Sequence, residues 1–262
     1  MKTCVIIPMY GHHEMTKKCV ELTLAKAGTH VEIVVVDDGS PQPFVYHNDN
    51  RVFVYRLDKN SGYTNATNQG ILWCKDRYEY LFLQNNDIEP EEDYIKVLVD
   101  AMEEDKSIGI AGSCRRMNKD SVELYGADLI RGHQFMADNK TFSELPDLIP
   151  AKWIPACSIL VRMEMLRYIG ILDPRMRTCC SDTDICFRAL LAGWKVVLAT
   201  KSIVFHHHQV TTGKNNEEAV SKDQQVILEK IAGVPYAELM RDMPLDAQSN
   251  TYGQLRFETY KK

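Results

Sequence analysis

The chain has 262 residues, 45% of them hydrophobic and 26% charged, with a formal net charge of −5. This composition suits a globular protein with a full hydrophobic core and excludes a fibrous or disordered chain. It also offers no basic field for nonspecific nucleic-acid binding, and no run of Lys and Arg long enough to act as a tail occurs. No apolar run approaches the ~20 residues that span a bilayer. The start, Met1 to Met9, lacks the layout of a signal peptide, so a cytoplasmic location is expected. Eight cysteines without a CxxC pair read as reduced thiols filling a core, and Cys179, Cys180 and Cys186 with His206 match no common zinc spacing.

Cys4 to Met9 reads as a buried strand closed by Pro8, followed by a helix over Glu14 to Ala27 that stops at Gly28. Val31 to Val36 is a continuous apolar run of the kind a parallel strand shows when covered on both faces, and it ends in Asp37, Asp38 and Gly39. Arg51 to Tyr55 predicts a third strand. A helix over Tyr63 to Cys74 is entered through Asn60, Ser61 and Gly62, and Tyr80 to Leu83 is the fourth strand. Pro90, Glu91, Glu92 and Asp93 then predict the start of a helix reaching about Met102, because proline and acidic groups suit a helix N-terminus. Strands alternating with helices imply a mostly parallel sheet.

The apolar run Leu81 to Leu83 stops abruptly in Gln84, Asn85, Asn86 and Asp87. Such a strand delivers polar groups to the edge where open α/β folds bind ligands. Asp87 there is placed to hold a metal ion, and the metal to hold a diphosphate. The alternative is a plain turn, which Asn and Asp favour. Tyr10 and the Asp37–Asp38 pair end two further strands on the same expected edge.

Further along, Ile108 to Ser113 predicts a strand, and the stretch from Arg115 to Pro150 shows no legible pattern. Trp153 to Val161 resumes a strand-like run, Met163 to Ile169 is a short helix, and Ser181 to Asp184 opens a helix to Ala192 stopped by Gly193. Lys195 to Ala199 and Ser202 to Phe205 predict two short strands, the second ending in His206, His207 and His208, and Glu217 to Ala232 is a last helix. In an extended segment alternate side chains face opposite ways, so at most two of the three histidines share a site.

Taken in order, these residues match a pattern. The run Val34 to Ser40, Asn60 through Gly70 in the spacing NxGxxxAxNxG, and Asn85, Asn86, Asp87 in place of a DXD motif come first. Asp182, Asp184, Cys186, Arg188 and Gly193 then fit EDxDxCxRxxxxG, and His206 with Thr211, Thr212 and Gly213 fits HxxxxxTG. The chain resembles the inverting glycosyltransferases of family 2, of the rhamnosyltransferase-like subgroup. The resemblance implies a GT-A fold, a central sheet flanked by helices with a nucleotide-binding half and an acceptor-binding half, over 1–213. Residues 214–262 would be a helical extension packed on the same domain.

The resemblance also implies roles. Pro8, Tyr10, Asp37, Asp38, Asn60, Gly62, Asn68 and Asn86 would bind the nucleotide-sugar donor, with Asp37 reading the base and Asp38 the ribose. Asp87 and His206 would hold manganese or magnesium, and Asp182 would be the general base. Trp153 and Asp184 would face the acceptor, Trp153 having core packing as its alternative and Asp184 being a second candidate base. Asn85 replaces the first carboxylate of the DXD motif, and Ser181 replaces the glutamate before Asp182. Asp182 has an alternative role as a helix cap, in a capping box of Ser181 with Asp184. A uridine or deoxythymidine diphosphate sugar is the expected donor. A saccharide, lipid-linked glycan, protein or modified nucleic acid are all open as acceptors. A nucleotidyltransferase would need a basic residue near the first loop, where Tyr10 to His13 supplies only histidines, and a nucleotide-sugar binding module without turnover is the nonenzymatic alternative.

Overall fold

The first strand explains the layering. In the computed structural model, which describes residues 2–118, 121–125, 134–207 and 217–232, Thr3–Met9 (β1) is buried along its whole length. Its side chains alternate, Cys4 and Ile6 joining one apolar cluster and Val5, Ile7 and Met9 another. A strand buried on both faces needs helices on both sides. His13–Lys26 (α1), Val31–Asp37 (β2), Val52–Arg56 (β3), Tyr63–Cys74 (α2) and Tyr80–Gln84 (β4) follow. β2 and β4 flank β1 in parallel and β3 adds to β2, also in parallel, which gives the parallel half expected from sequence.

The chain continues through Ile88–Pro90 (β5), Tyr94–Glu104 (α3), Ile108–Asn118 (β6), Ser121–Tyr125 (β7), Gln134–Asp138 (β8), Asn139–Ser143 (α4) and Leu148–Pro150 (β9). Ser158–Arg162 (β10), Met163–Ile169 (α5), Ser181–Leu191 (α6), Lys195–His206 (β11) and Glu217–Ala232 (α7) complete it. The main path of the sheet is β3-β2-β1-β4-β10-β6-β11-β5, with β7 and β8 branching from β6 and β9 pairing with β11. β10 is antiparallel to both β4 and β6. Two reversals cancel, so β6 and the parallel β11 run in the same direction as β1, β2 and β4. The carboxyl ends of all five therefore share one edge, and the second half of the sheet is mixed rather than parallel.

α2, α5 and α6 cover one face, through residues such as Ile71, Leu166 and Phe187, and α1 and α3 cover the other through Val20 and Leu98. Each such buried side chain contributes about 1.5–3 kcal/mol relative to exposure.

Several boundaries differ from expectation. Pro90 lies in β5 rather than in a helix start, since a short edge strand tolerates the missing N–H, and α3 begins only at Tyr94. Of the run Trp153 to Val161 only the part from Ser158 is strand; Pro155 stands in the loop before it. The two strands expected before His206 are one, β11, with a register shift between Ala199 and Ile203 that lets both parts pair with β6. The illegible stretch after Arg115 holds the end of β6, the β7–β8 hairpin, α4 and β9.

Candidate functional site

At the end of β2 the two carboxylates are engaged by the protein itself. Asp37 is fully buried; Oδ1 accepts the Ser40 amide at 2.9 Å, Oδ2 accepts the Phe44 amide at 3.0 Å, and Arg56 of β3 pairs with Oδ2. Burial would push its carboxyl up, but the bonds from Ser40, Phe44 and Arg56 outweigh it and hold the carboxyl below its ordinary range. Asp38 accepts the Ser61 amide at 2.7 Å and hydroxyl at 2.8 Å on Oδ1, and the Gly62 amide at 2.8 Å on Oδ2. It thereby pins the start of α2 to the end of β2.

Gly62 has φ +91°, and a Cβ there would stand 2.4 Å from Cγ of Arg177. Only glycine permits that approach. Arg177 in turn donates to Oδ1 of Asn60 at 2.5 Å. Asn68 is 4% exposed and clips the backbone of Leu172 from both sides, donating to its carbonyl at 2.8 Å and accepting its amide at 3.1 Å. Pro8 is buried inside β1 opposite Val36, and Tyr10, just past β1, is 39% exposed. Of the residues expected around the donor, Tyr10, Asn60 and Gly62 thus stand at the open rim, while Asp37, Asp38 and Asn68 shape its loops.

β4 ends in a different kind of cluster. Gln84 turns inward, donating to Thr23 Oγ1 at 2.8 Å and accepting from Tyr94 at 2.7 Å. Asn86 donates to Thr16 of α1 at 3.0 Å, so it ties the loop to that helix. The antiparallel pairing of β5 with β11 places His206 opposite Ile88, and so beside Asp87. His206 Nε2 lies 3.0 Å from Asp87 Oδ1 and 3.1 Å from Asn85 Nδ2. Burial would raise the Asp87 carboxyl, yet the neighbouring imidazole wins and lowers it. His207 points the other way, to Glu89 at 2.9 Å, as strand alternation requires. His208 and the segment Thr211 to Gly213 lie outside the described residues.

Asp182 sits in the first turn of α6. The helix is capped by Cys180 with no side-chain cap bond, so the Ser181–Asp184 capping box does not form. Asp184 is fully buried, paired with Arg188 at 2.8 Å and with Lys230 of α7. That arrangement makes it a tie between helices. Asp182 is half-buried; Oδ1 accepts the amide of Thr183 at 2.8 Å and Oδ2 that of Ala156 at 3.3 Å. Burial pushes its carboxyl above the ordinary range. The residue after Ala156 closes the circuit, because the Cys157 carbonyl accepts the Asn85 amide at 3.0 Å. Adjacent residues of one loop therefore connect Asp182 to the segment bearing Asp87, and the Tyr63 hydroxyl holds that loop by donating to the Ala156 carbonyl at 3.0 Å. Trp153 is 3% exposed and part of the core.

The profile of glycosyl transferase family 2 matches residues 4–161. The chain belongs to glycosyl transferase family 2. A curated relative, Glycosyltransferase GlyG of Streptococcus pneumoniae serotype 4 (strain TIGR4), is 25% identical over 156 residues, which are 57% of this chain and 50% of that protein. This chain thus spans about half of that relative's length. Similar solved structures include GalNAc-T7 with UDP, GalNAc and Mn2+, at a TM-score of 0.67 and 12% identity over 96% of this chain and 57% of that one. Residues 1–349 of S. aureus TarS align at a TM-score of 0.63 and 16% identity over 97% of this chain and 74% of that one. The mannosyltransferase PcManGT of Pyrobaculum calidifontis, in complex with GDP-Man and Mn2+, gives 0.63 and 12% over 97% and 72%. These likenesses place the chain in the GT-A fold.

Two features of this family member were not visible in the sequence. Arg115 at the end of β6 is buried with Glu123 of β7, donating from Nε at 2.9 Å, and its Nη1 stands 3.5 Å from His206 Nδ1. The register of the β6–β7 hairpin, which pairs residues 115 and 123, is what joins them. The other feature is the reach of α7 toward α6, described below. Among the described residues no group of three or more His, Cys, Asp or Glu could hold a metal by itself, and no helix is long and apolar enough to cross a membrane.

Proposed function

We propose that this glycosyltransferase moves a sugar from a nucleoside diphosphate to an acceptor hydroxyl with inversion, using a divalent cation held by Asp87 and His206 and Asp182 as general base. The observation that carries the reading is the pairing of Asp87 with His206 on the carboxyl edge of the sheet, one loop away from Asp182. The two side chains fit an ion. Asp87 Oδ1 is buried without a hydrogen bond of good geometry, and 3.0 Å separates it from the imidazole nitrogen. Adjacent ligands of an octahedral ion at about 2.1 Å stand about 3 Å apart. A carboxylate with an imidazole suits manganese or magnesium, ions that complete their shells with phosphate oxygens and water. With an ion held by Asp87 and His206, the chemistry supplied would be neutralisation of the charge that grows on the departing diphosphate.

The chain's own groups supply the rest. Tyr10, Asn60 and Gly62 form the rim against which the nucleoside lies, over loops held by Asp37, Asp38 and Asn68. Asp182 takes the proton of the acceptor hydroxyl as that oxygen attacks the anomeric carbon, and its raised carboxyl makes it a stronger base than an exposed aspartate. Attack from the face opposite the diphosphate inverts the centre. The fold neighbours bind UDP and GDP-Man, which supports a nucleoside diphosphate sugar as the donor class, and the resemblance to the rhamnosyltransferase-like subgroup implies a uridine or deoxythymidine base. Two of the neighbours carry Mn2+, which supports the cation.

Thermal unfolding with a panel of nucleoside diphosphates and their sugars, with and without Mn2+, tests this. A ligand at a hundred times its Kd adds about 2.7 kcal/mol to stability. One nucleotide should stabilise the protein in a Mn2+-dependent way, and stabilisation by none of them would refute the donor site. Stabilisation without any sugar transfer to a panel of acceptors would instead favour a binding module.

A further inference from the structure

Asp223 lies on α7, forty-one residues beyond Asp182 and outside the stretch matched by the family profile. It is 1% exposed, and its carboxylate gathers three successive backbone amides: Oδ1 accepts Arg177 N–H at 2.7 Å, and Oδ2 accepts Thr178 N–H at 2.6 Å and Cys179 N–H at 2.9 Å. Three converging donors fix the path of a loop far more tightly than one bond can, and bonds to a charged acceptor are the strong ones. The next residue, Cys180, is the left-handed turn (φ +65°) from which α6 departs, and Asp182 lies in the first turn of that helix. The same loop also meets the donor rim, because the Arg177 carbonyl accepts the Thr64 amide and its guanidinium holds Asn60.

From this geometry we infer that Asp223 is a positioning residue for the transfer reaction: it fixes residues 177–179, and through them the turn at Cys180 that aims Asp182. The inference rests on the assignment of Asp182 as base. α7 has a second tie to this region, Lys230 to Asp173 at 3.1 Å and to Asp184, but that tie reaches side chains behind α6 rather than the backbone that leads into it. The two ties give α7 separable jobs, one aiming the base and the other docking the helix.

The test compares Asp223→Asn, Asp223→Glu and Lys230→Met with the unaltered enzyme, reading kcat, donor KM, the pH profile and unfolding temperature. Asp223→Asn replaces one acceptor oxygen by an NH2 that opposes the amides. It should lower kcat by roughly a hundredfold, the cost typical of a misplaced reacting group, with donor KM changed far less. Because the loosened turn admits water to Asp182, the acidic limb of kcat should also move to lower pH. Among the described residues the other titratable groups facing Asp182 are Tyr63, Cys157, Cys180 and Cys186, all pushed upward by burial or by the neighbouring thiol, Cys157 to about 12, so the acidic limb belongs to the carboxylate.

Asp223→Glu keeps the charge and should show a smaller version of both changes, and it serves alone if the asparagine variant does not fold. Lys230→Met should lower the unfolding temperature with kcat and the limb in place. The proposal fails if folded Asp223 variants keep full kcat, or if Lys230→Met moves the limb as they do. Asp182→Asn separates the two claims. If it stays active the base assignment itself is wrong, whereas an inactive Asp182→Asn beside a fully active Asp223→Asn rejects only the positioning role.

Discussion

The ends of β2 and β4 carry the same kind of residue and use it in opposite ways. At the end of β2, Asp37 and Asp38 together accept four backbone amides, one hydroxyl and a guanidinium. Their lone pairs are already occupied by loops. Asp87, beyond the end of β4, faces the His206 imidazole at 3.0 Å and has a buried oxygen without a hydrogen bond of good geometry among the described residues. A carboxylate surrounded by amides is a piece of architecture, and one facing an imidazole across 3 Å fits the cation proposed for it. Which of these a strand-end aspartate becomes is decided by what the rest of the chain brings to it, since a buried polar group must find a partner in either case.

Exchanging the two roles by mutation gives the largest effects. Asp87→Ala should lower kcat/KM by about a thousandfold or more, because the stabilisation a metal gives to a leaving group is several kcal/mol, and the Mn2+-dependent shift by nucleotide should vanish with it. Asp38→Ala should act on folding instead. It leaves the Ser61 and Gly62 amides and the Ser61 hydroxyl without their acceptor, at a cost of about 3 kcal/mol, measurable by denaturant titration. A variant at Asp38 that keeps full stability but loses turnover would reverse the contrast and make it a substrate contact.

Asp182 joins the two behaviours in one residue. It accepts two amides yet remains costly to ionise, since burial outweighs them. A carboxyl whose folded pKa is raised adds stability below its unfolded pKa and loses it as pH rises through the folded value. At neutral pH the charge is therefore destabilising, and Asp182→Asn should raise the unfolding temperature while lowering kcat by about 10²- to 10⁴-fold. In the unaltered enzyme kcat/KM should fall with decreasing pH through a pKa above that of a free aspartate. An Asp182→Asn variant that is both less stable and still active would show that the residue belongs with Asp38.

This contrast also marks what the amino-acid order discloses. The buried apolar runs of β1 and β2 and the stop at Gly28 are local patterns, and they correspond to the observed elements. The approach of His206 to Asp87 was legible because each stands at the end of an apolar run and the family resemblance implied one ion for both. The saturation of Asp37, Asp38 and Asn68 was not, since their partners at positions 40, 44, 61, 62 and 172 become neighbours only in the folded chain. An apolar run likewise carries no mark of direction, so nothing in Ser158 to Arg162 announced that β10 would run against its neighbours. Arg115 was hidden for a related reason: it meets His206 only through the pairing of β6 with β11 and of β6 with β7. Trp153, expected at the acceptor with core packing as its alternative, is 3% exposed and packs in the apolar cluster with Ile154 and Ile185, neighbours that its place in the sequence does not announce.

The smallest expected effect tests how far the β4 end can be pushed toward its cation role. Asn85 Nδ2 already stands 3.1 Å from His206 Nε2, so its side chain is beside the proposed ion. Asn85→Asp adds a negative charge there without changing side-chain size. Attraction to a divalent ion should tighten Mn2+ binding in the absence of nucleotide, against the repulsion of a second carboxylate by Asp87. The first effect should win because the ion carries two charges, by about tenfold in Kd, or ~1.4 kcal/mol. With nucleotide bound the diphosphate supplies the missing oxygens, so kcat should change by no more than a few-fold. Calorimetric titration of Mn2+ into both proteins decides the matter: equal affinities would mean that Asn85 faces away from the ion, and that Asp87 and His206 hold it with phosphate and water alone.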